Sequence, residues 1–301
     1  MKRVFLVFML LMSFLGTALA LPETDRAGNP IALKDNPERI VSMAPSTTRV
    51  LTDLGLTEKL AAIDTYSAGY QPSLSNLPQF DMMTPDVEKL AALDPDLIFI
   101  TGMSLSGGTN PYQALRDMGI PVVEIPTSNS IEGILQDVAF IGECVGADTA
   151  PLTAGFQPLL DRIKTLRETI ETKKTVAIEV AALPYLCYAG GETYLDEMIT
   201  LIGAENVYHN REAWASVTEE EAVAANPDVL VTVISYLPDP VAEILGRKGW
   251  ENMNAIQNKD VYLLNEEAAN QPNHHILDAL IELAKAVYPT VYDDLTLENL
   301  K

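Results

Sequence analysis

Two stretches of the chain carry the same pattern: residues 87–100 read VEKLAALDPDLIFI, and residues 219–231 read EEEAVAANPDVLV. Each begins with a short amphipathic segment that places a glutamate, Glu88 or Glu220, seven positions before a proline. Because proline cannot continue a helix, the pattern predicts a helix that ends before a Pro-Asp corner. The apolar run that follows is short enough to be a strand covered on both faces. A pattern repeated once at this separation predicts a protein of two similar lobes rather than a short-period solenoid.

Strands alternate with helices on both sides of the middle of the chain. Buried strands are predicted at 40–44, 60–63 and 97–100 in the first half and at 176–180, 229–234 and 261–264 in the second half. Segments with helical spacing of apolar residues lie between them. This alternation predicts an α/β fold with two lobes, each built on a mainly parallel central sheet that helices cover on both faces.

One long helical pattern connects the two halves. Residues 148–174 carry leucine and isoleucine at helical spacing, and no Gly/Ser-rich linker occurs between the lobes. A single helix as the only crossing would restrict hinge motion, because a helix resists bending. The predicted organisation is an N-terminal lobe at 21–147, an interlobe helix at 148–174 and a C-terminal lobe at 175–301.

The first twenty residues have the composition of a cleaved signal peptide. Lys2 and Arg3 precede an apolar stretch, and Ala18 and Ala20 are small residues at the positions that a signal peptidase reads. The apolar stretch is too short for a stop-transfer helix, and no cysteine lies at the cleavage site. The sequence predicts a signal peptide at 1–20 and a mature protein outside the cytoplasm without a lipid anchor.

The composition argues against several classes of partner. A content of 48% hydrophobic and 21% charged residues is typical of a folded globular protein. The formal net charge of -22 argues against nucleic acid and anionic membrane surfaces as partners. The same charge favours a protein that stays dissolved as a monomer.

The sequence contains no familiar arrangement of catalytic residues. The chain has two cysteines, Cys144 and Cys187, and a protein outside the cytoplasm can form disulfides. A disulfide between them is therefore one possibility, but two free thiols are expected. No Ser-His-Asp or His-Cys set and no closed metal-ligand motif occurs at a familiar spacing. The sequence predicts no catalytic residues, no resident cofactor and no dedicated metal site.

Several motifs together resemble the class of periplasmic binding proteins that serve ABC importers for cobalamin, ferric siderophores and haem. The resemblance spans residues 36–289 and includes the opening PERIVSMAPS at 37–46, the two Pro-Asp modules, the central helix and the closing stretch at 272–289. It implies a ligand cleft between two lobes and a periplasmic location. In that family one glutamate on each lobe docks onto arginines of the membrane permease dimer. Glu88 and Glu220 are the matching positions here.

The resemblance also implies which side chains face the ligand. Tyr66, Tyr185 and Trp214 match positions that line the corrin site in cobalamin-binding relatives. Flat, rigid aromatics suit a flat macrocycle because they contribute contact area at little entropic cost. Met82 stands where the cobalamin-binding relative has an aromatic, and Met103 lies on another loop of the expected cleft.

Three further candidate ligand residues depart from the family's pattern. Arg49 stands where the family usually has glutamate, and His274 and His275 follow Pro272 where the family usually reads Pro-Gly-Pro-Arg. Either histidine is a candidate axial ligand for haem iron or cobalt, or a ligand for a bare metal ion. Because neighbouring residues of a helix point about 100° apart, the two histidines are not expected to bind one metal together.

Three functions compete at this point. The leading hypothesis is a protein that captures a metal chelate, a corrinoid ahead of haem or a ferric siderophore, and delivers it to the importer. The second is direct binding of a metal ion or oxyanion through His274, His275, Tyr66 and Arg49. The third is an extracytoplasmic enzyme on the same fold, which the absence of a nucleophile-base pair argues against.

Overall fold

The first half of the chain folds around a parallel sheet. The computed structural model describes residues 21–298, so the predicted signal peptide lies outside the described residues. The strands are β1 (Ile40–Ser42), β2 (Leu60–Asp64), β3 (Gln79–Phe80), β4 (Leu97–Thr101) and β5 (Val122–Ile125). They pair in the order β3-β2-β1-β4-β5, and every pairing is parallel. The central strands β1 and β4 are buried over nearly their whole length, as their apolar runs predict.

The second half folds around a mixed sheet. Its strands are β6 (Thr175–Ala181), β7 (Cys187–Ala189), β8 (Glu205–Asn206), β9 (Trp214–Ser216), β10 (Val229–Thr232) and β11 (Val261–Leu263). They pair in the order β11-β10-β6-β7-β9, with β8 also beside β6. β6, β8, β10 and β11 are parallel, whereas β7 is antiparallel to both β6 and β9. The predicted α/β fold with mainly parallel sheets is confirmed.

Helices cover both faces of each sheet. In the first half they are α1 (Pro45–Asp53), α2 (Ser67–Tyr70), α3 (Val87–Ala92), α4 (Gln113–Asp117) and α5 (Ile131–Val145). Two helices, α6 (Ala150–Thr153) and α7 (Phe156–Arg167), follow α5 along the chain and connect the first half to the second. The second half has α8 (Tyr194–Leu201), α9 (Glu219–Ala225), α10 (Pro240–Leu245), α11 (Asn254–Asn258), α12 (Glu266–Ala269) and α13 (Ile276–Val287). Within residues 21–298, none of the helices has the length and apolar content needed to cross a membrane.

Alternate residues of each strand pack into separate cores. Ile40 and Phe99 belong to the cluster on one face of the first sheet, and Val41 and Ile98 belong to the cluster on the other face. The second sheet likewise divides its strand residues between two clusters. This division follows from the alternation of side chains along a strand, and it explains why the strand sequences are apolar throughout.

The repeated module has the same backbone in both halves. Asp94 (φ 48°) and Asn226 (φ 42°), which precede the two prolines, adopt the left-handed conformation that Asp and Asn tolerate better than most residues. After the prolines, Asp96 and Asp228 accept hydrogen bonds from backbone N–H groups at or just before the first residue of β1 and β6. The module therefore ties a helix, a corner and two parallel strands together in each half.

The connection between the sheets differs from the predicted single helix at 148–174. Two helices, α6 and α7, are separated by a turn at Ala154 and Gly155, and residues 168–174 are not helical. Glycine is a poor helix residue, and Pro158 lies in the first turn of α7, where its missing N–H is tolerated. The predicted helix is therefore interrupted near its start, at the position where Gly155 and Pro158 indicate a kink, and it ends earlier than residue 174. The lobe boundaries at 21–147 and 175–301 stay a prediction.

Helix α5 also joins the two halves. Val138 and Ile141 pack in a core of the first sheet, whereas Ile131 and Ile134 pack in a core of the second sheet. The backbone N–H of Ile131 donates to Glu197 Oε2 in α8 at 2.7 Å. The restraint on relative motion of the halves therefore comes from shared packing as well as from the connecting helices.

Both cysteines are free thiols. Cys144 is buried in α5, and Cys187 is half-buried in β7. Burial raises the pKa of Cys144 to about 12, which keeps the thiol neutral. The disulfide between Cys144 and Cys187 that the sequence allows is not formed.

Candidate functional site

A cavity of about 440 Å³ lies between the two halves of the protein. It opens at the carboxyl ends of the parallel strands, which is where open α/β sheets bind ligands. The first half contributes Ala44, Pro45, Ser46, Tyr66, Tyr70, Met82, Thr101, Met103 and Thr127 to its lining. The second half contributes Val180, Tyr194, Trp214, Asn270, Gln271 and Pro272.

The strand order explains why residues so distant in sequence meet in this cavity. Ala44 follows β1, Tyr66 follows β2 and Thr101 ends β4, and these three strands are neighbours in the first sheet. Val180 near the end of β6 and Trp214 at the start of β9 face them from the second half. Because parallel strands end at the same edge of a sheet, each half presents its loops to the other.

Two aromatic side chains are exposed on the cavity wall. Trp214 is 45% exposed and Tyr66 is 59% exposed. The buried ring of Tyr194 packs edge-on against Trp214, with centroids 6.4 Å apart and planes at 76°. The Tyr194 hydroxyl donates to the carbonyl of Ala269 at 2.9 Å, which fixes this ring. Trp214 is therefore an exposed aromatic surface supported by a rigid neighbour.

The loops that carry Tyr66 and Met103 are ordered by local hydrogen bonds. The buried Asp64 carboxylate accepts from the backbone N–H groups of Tyr66 at 2.8 Å and Ser67 at 3.0 Å. Burial raises the pKa of Asp64 above its ordinary value. Thr101 Oγ1 accepts from the N–H of Met103 at 3.1 Å. The backbone at Tyr66 and at Met103 is thus fixed beside the cavity.

The cavity is electrically neutral at its surface. Among the described residues that line it, none carries an acidic or basic side chain. The neutral polar side chains of the lining are Ser46, Thr101, Thr127, Asn270 and Gln271. The cavity therefore combines aromatic and apolar surface with a few neutral polar groups.

Half of the predicted ligand residues line this cavity. They are Tyr66, Met82, Met103 and Trp214. Met82 is buried, and its carbonyl accepts a hydrogen bond from the Tyr112 hydroxyl at 2.7 Å, so it forms part of a fixed wall. Met103 is 57% exposed and offers a flexible apolar surface. Their contribution to ligand binding stays a prediction.

Tyr185 lies outside the lining and is 82% exposed in the loop between β6 and β7. Conversely, the sequence did not identify Tyr70, Tyr194 and Gln271, which do line the cavity. Gln271 directly precedes Pro272 of the closing motif, and this position in the sequence could have identified it as a cavity residue. Tyr70 and Tyr194 lie in α2 and α8, whose patterns do not distinguish a cavity residue from a core residue.

Arg49, His274 and His275 gather around Asp53 in a separate cluster and do not line this cavity, so their role in ligand binding stays a prediction. Arg49 lies in the second turn of α1, beyond the residues at the helix start that line the cavity. The histidines follow Pro272 in the turn that leads into α13, away from the cavity.

One carboxylate oxygen organises this cluster. Asp53 Oδ2 accepts from Arg49 Nε at 2.8 Å and lies 2.9 Å from Nε2 of His274 and 2.9 Å from Nε2 of His275. Burial alone would raise the pKa of Asp53, but hydrogen bonds from the histidines and Arg49 hold it well below its ordinary value. Hydrogen bonds to Asp278 and Asp53 raise the pKa of His275 to about 9.

The two histidine rings converge, contrary to the expectation from helix geometry. Their centroids are 4.4 Å apart and their planes meet at 41°. The divergence of neighbouring residues applies within a helix, whereas His275 precedes Ile276, the first residue of α13. The turn before the helix directs both Nε2 atoms to the same oxygen of Asp53.

Glu88 and Glu220 occupy matching positions in the first turns of α3 and α9, and both are exposed. Neither forms an ion pair with another residue of the described chain. Glu221, in contrast, forms a capping box with Thr218 and lies 2.9 Å from Arg211 Nη2. The structure therefore distinguishes Glu220 from Glu221, because the neighbouring carboxylate is already engaged.

Curated relatives cover most of the chain. The uncharacterized ABC transporter substrate-binding lipoprotein YvrC of Bacillus subtilis is 26% identical over 276 residues, which are 90% of this chain and 86% of that relative. The cobalamin-binding protein of Halobacterium salinarum is 25% identical over 284 residues, covering 89% of this chain and 74% of that relative.

Solved structures share the fold. Molybdate-bound MolA of Haemophilus influenzae superimposes with a TM-score of 0.76 at 24% identity and covers 92% of this chain and 94% of its own. The heme-binding protein RhuT of Roseiflexus superimposes with a TM-score of 0.71 at 20% identity and covers 84% of this chain and 99% of its own. The family described as Periplasmic binding protein matches residues 40–268. The chain therefore belongs to the periplasmic binding protein family, as its motifs predicted.

Proposed function

We propose that this protein captures a corrinoid of the cobalamin type outside the cytoplasm and delivers it to an ABC importer. The observation that carries the proposal is the uncharged cavity with Trp214 and Tyr66 exposed on its walls. A corrinoid has two broad ring faces and an edge of neutral amides. Aromatic side chains supply contact area to such a ring at little entropic cost. The neutral polar groups of the lining, among them Asn270 and Gln271, are of the type that pairs with the amides at the ring edge.

Anionic ligands fit this cavity less well. A negatively charged ferric siderophore or an oxyanion is usually bound by cationic groups or by several convergent hydrogen-bond donors. No lysine or arginine among residues 21–298 lines the cavity, and Arg49 pairs with Asp53 and Glu267 outside it. The formal net charge of -22 also opposes the approach of an anion.

Haem is the second candidate because of one side chain. Haem iron takes an axial ligand from the protein, and tyrosine serves in some haem proteins. Tyr66 presents an exposed phenol at the cavity wall, whereas no histidine of the described chain lines the cavity. The cobalt of a corrinoid can arrive with its axial positions filled, so a corrinoid needs no metal ligand from the cavity, whereas haem would depend on Tyr66.

The relatives support this assignment without deciding it. The Halobacterium relative is named for cobalamin, whereas the structural neighbours are named for molybdate and heme. Calorimetric titration of the mature protein with cyanocobalamin, haemin and molybdate tests the proposal, because these ligands differ in charge and in their need for an axial ligand.

The protein is proposed to act as a monomer in the periplasm after removal of residues 1–20. The Bacillus subtilis relative is described as a lipoprotein. Residues 1–21 of this chain contain no cysteine, the residue to which a lipid would be attached.

Replacing Glu88 and Glu220 together with alanine is expected to reduce ligand transport by the cognate importer more than about tenfold. Both carboxylates are exposed at equivalent points of the two halves, so they suit a permease dimer that presents one basic site to each half. Both also lie outside the cavity lining, so ligand affinity is expected to change less than about twofold. Uptake into proteoliposomes that contain the importer measures the effect.

The matched control is the Glu168→Ala/Glu171→Ala double variant, which removes the same charge. These two exposed glutamates follow α7 and lie away from the repeated modules. The control should transport at the wild-type rate. Equal transport by the Glu88/Glu220 variant and this control would contradict the docking assignment.

A further inference from the structure

We propose that Asp53, His274 and His275 form a binding site for a divalent transition-metal ion such as Zn²⁺, separate from the cargo cavity. The site joins α1 of the first half to the segment before α13 of the second half. None of the three residues lines the cargo cavity. The proposal therefore does not depend on which ligand that cavity holds.

The donor atoms are already close enough to share one ion. One ligand atom from each residue lies within 4.8 Å of the others. Each histidine Nε2 is 2.9 Å from Asp53 Oδ2. Zn²⁺ bonds of about 2.0–2.2 Å place neighbouring ligand atoms of a tetrahedral site roughly 3.3 Å apart. Small side-chain movements would therefore admit the ion, with water completing the coordination.

The donor types favour an ion of this class. Two imidazole nitrogens and one carboxylate oxygen form a set that Zn²⁺ and its neighbours in the first transition row prefer over Mg²⁺ or Ca²⁺. His274 is 8% exposed and His275 is half-buried, so both rings are held by packing. A pre-formed pair of imidazoles loses little side-chain entropy on binding an ion.

A carboxylate outside the donor set orients one of the rings. His275 Nδ1 lies 2.8 Å from Asp278 Oδ2. Zn²⁺ would displace the Nε2 proton that His275 shares with Asp53 and release it to solvent, while Nδ1–H keeps its hydrogen bond to Asp278. This is the arrangement of carboxylate, histidine and metal found at many metal sites, where the outer carboxylate fixes the tautomer.

Arg49 competes with the ion for Asp53. Its Nε donates to Oδ2 at 2.8 Å, and its positive charge opposes a second cation nearby. The guanidinium also pairs with Glu267 Oε1 at 2.5 Å, so it keeps a partner when Asp53 turns to the metal. Removing Arg49 should therefore strengthen metal binding, which a simple network of ion pairs would not predict.

Zn²⁺ titration of the untagged protein, with a chromophoric chelator as competitor, tests the proposal. The chain contains three histidines, and His209 pairs with Asp196 at 3.0 Å outside the cluster, so His209→Gln is the matched control. His275→Gln and Asp53→Asn should each weaken Zn²⁺ binding about tenfold or more. His209→Gln should change it by less than about twofold.

Arg49→Gln provides a second test that leaves all three ligands in place. It should strengthen Zn²⁺ binding by about threefold or more, because a competing cation has been removed. Thermal unfolding in EDTA establishes that each variant is folded. The proposal is overturned if the wild-type protein shows no saturable Zn²⁺ binding below about 1 mM. Equal Zn²⁺ affinity of wild type, His275→Gln and Asp53→Asn would overturn it as well.

Discussion

Replacing Arg247 with methionine is expected to lower the free energy of unfolding by about 3–5 kcal/mol. Arg247 and Glu179 are each 1% exposed in the second half. Arg247 Nη1 and Nη2 donate to the two carboxylate oxygens of Glu179 at 2.6 and 2.9 Å. Methionine fills most of the space but leaves the buried carboxyl without its cationic partner. Urea unfolding followed by circular dichroism measures the loss.

Two comparisons separate the buried charge from other effects of this substitution. Arg211→Met removes an arginine from an exposed pair with Glu221 and should cost less than about 1 kcal/mol. The Glu179→Gln/Arg247→Met double variant should recover much of the loss, because no fully buried charge is left unpaired. Glu243, the other partner of Arg247, is 33% exposed and stays in contact with water. Glutamine also keeps an oxygen for the Tyr188 hydroxyl, which donates to Glu179 Oε2 at 3.1 Å. Equal stability of the two single arginine variants would contradict this account of the pair.

Replacing Trp214 with alanine is expected to weaken cyanocobalamin binding by about 2 kcal/mol or more, roughly thirtyfold. The indole is exposed on the cavity wall and supported edge-on by Tyr194. Its removal takes away the largest flat surface that a macrocycle could contact. Trp214→Phe should retain most of the affinity because it keeps an aromatic plane. Calorimetric titration of both variants gives the two affinities.

Tyr185→Ala is the informative control for the aromatic wall. Tyr185 is exposed outside the cavity lining, so its removal should weaken cyanocobalamin binding by less than about threefold. A larger loss than that of Trp214→Ala would mean that the ligand lies nearer the β6–β7 loop than the cavity indicates. Unchanged affinity of Trp214→Ala would mean that the indole is not part of the binding surface.

The fold was predictable where short-range signals agreed. The two Pro-Asp modules predicted α3 with β4 and α9 with β10, because proline, the preceding polar residue and the apolar run all favour the same local structure. The three-residue strands β7 and β9 are too short to show a period. The break between α6 and α7 was hidden because apolar residues keep helical spacing across it, so that Gly155 and Pro158 were its only signals.

A site residue was predictable only where its position relative to a strand determines the direction of its side chain. Tyr66 lies two residues after the end of β2, so the strand carries it to the cavity. The direction of His274 depends on a turn whose geometry is set by packing against Asp53, which is 221 positions away in sequence. Arg247 and Glu179, separated by 68 positions, are paired by the same kind of long-range packing. Local sequence patterns carry no information about such pairs.

Calorimetric titration of the mature, untagged protein with cyanocobalamin tests the central claim most directly, namely that the uncharged aromatic cavity binds a corrinoid. The account predicts saturable binding of one corrinoid per chain with a Kd of about 1 μM or below. Tyr66→Phe should leave this affinity nearly unchanged, because the cobalt needs no phenol ligand, whereas any haemin binding should fall. Molybdate should give no saturable heat. Saturable binding of haemin or molybdate together with no binding of cyanocobalamin would contradict the account.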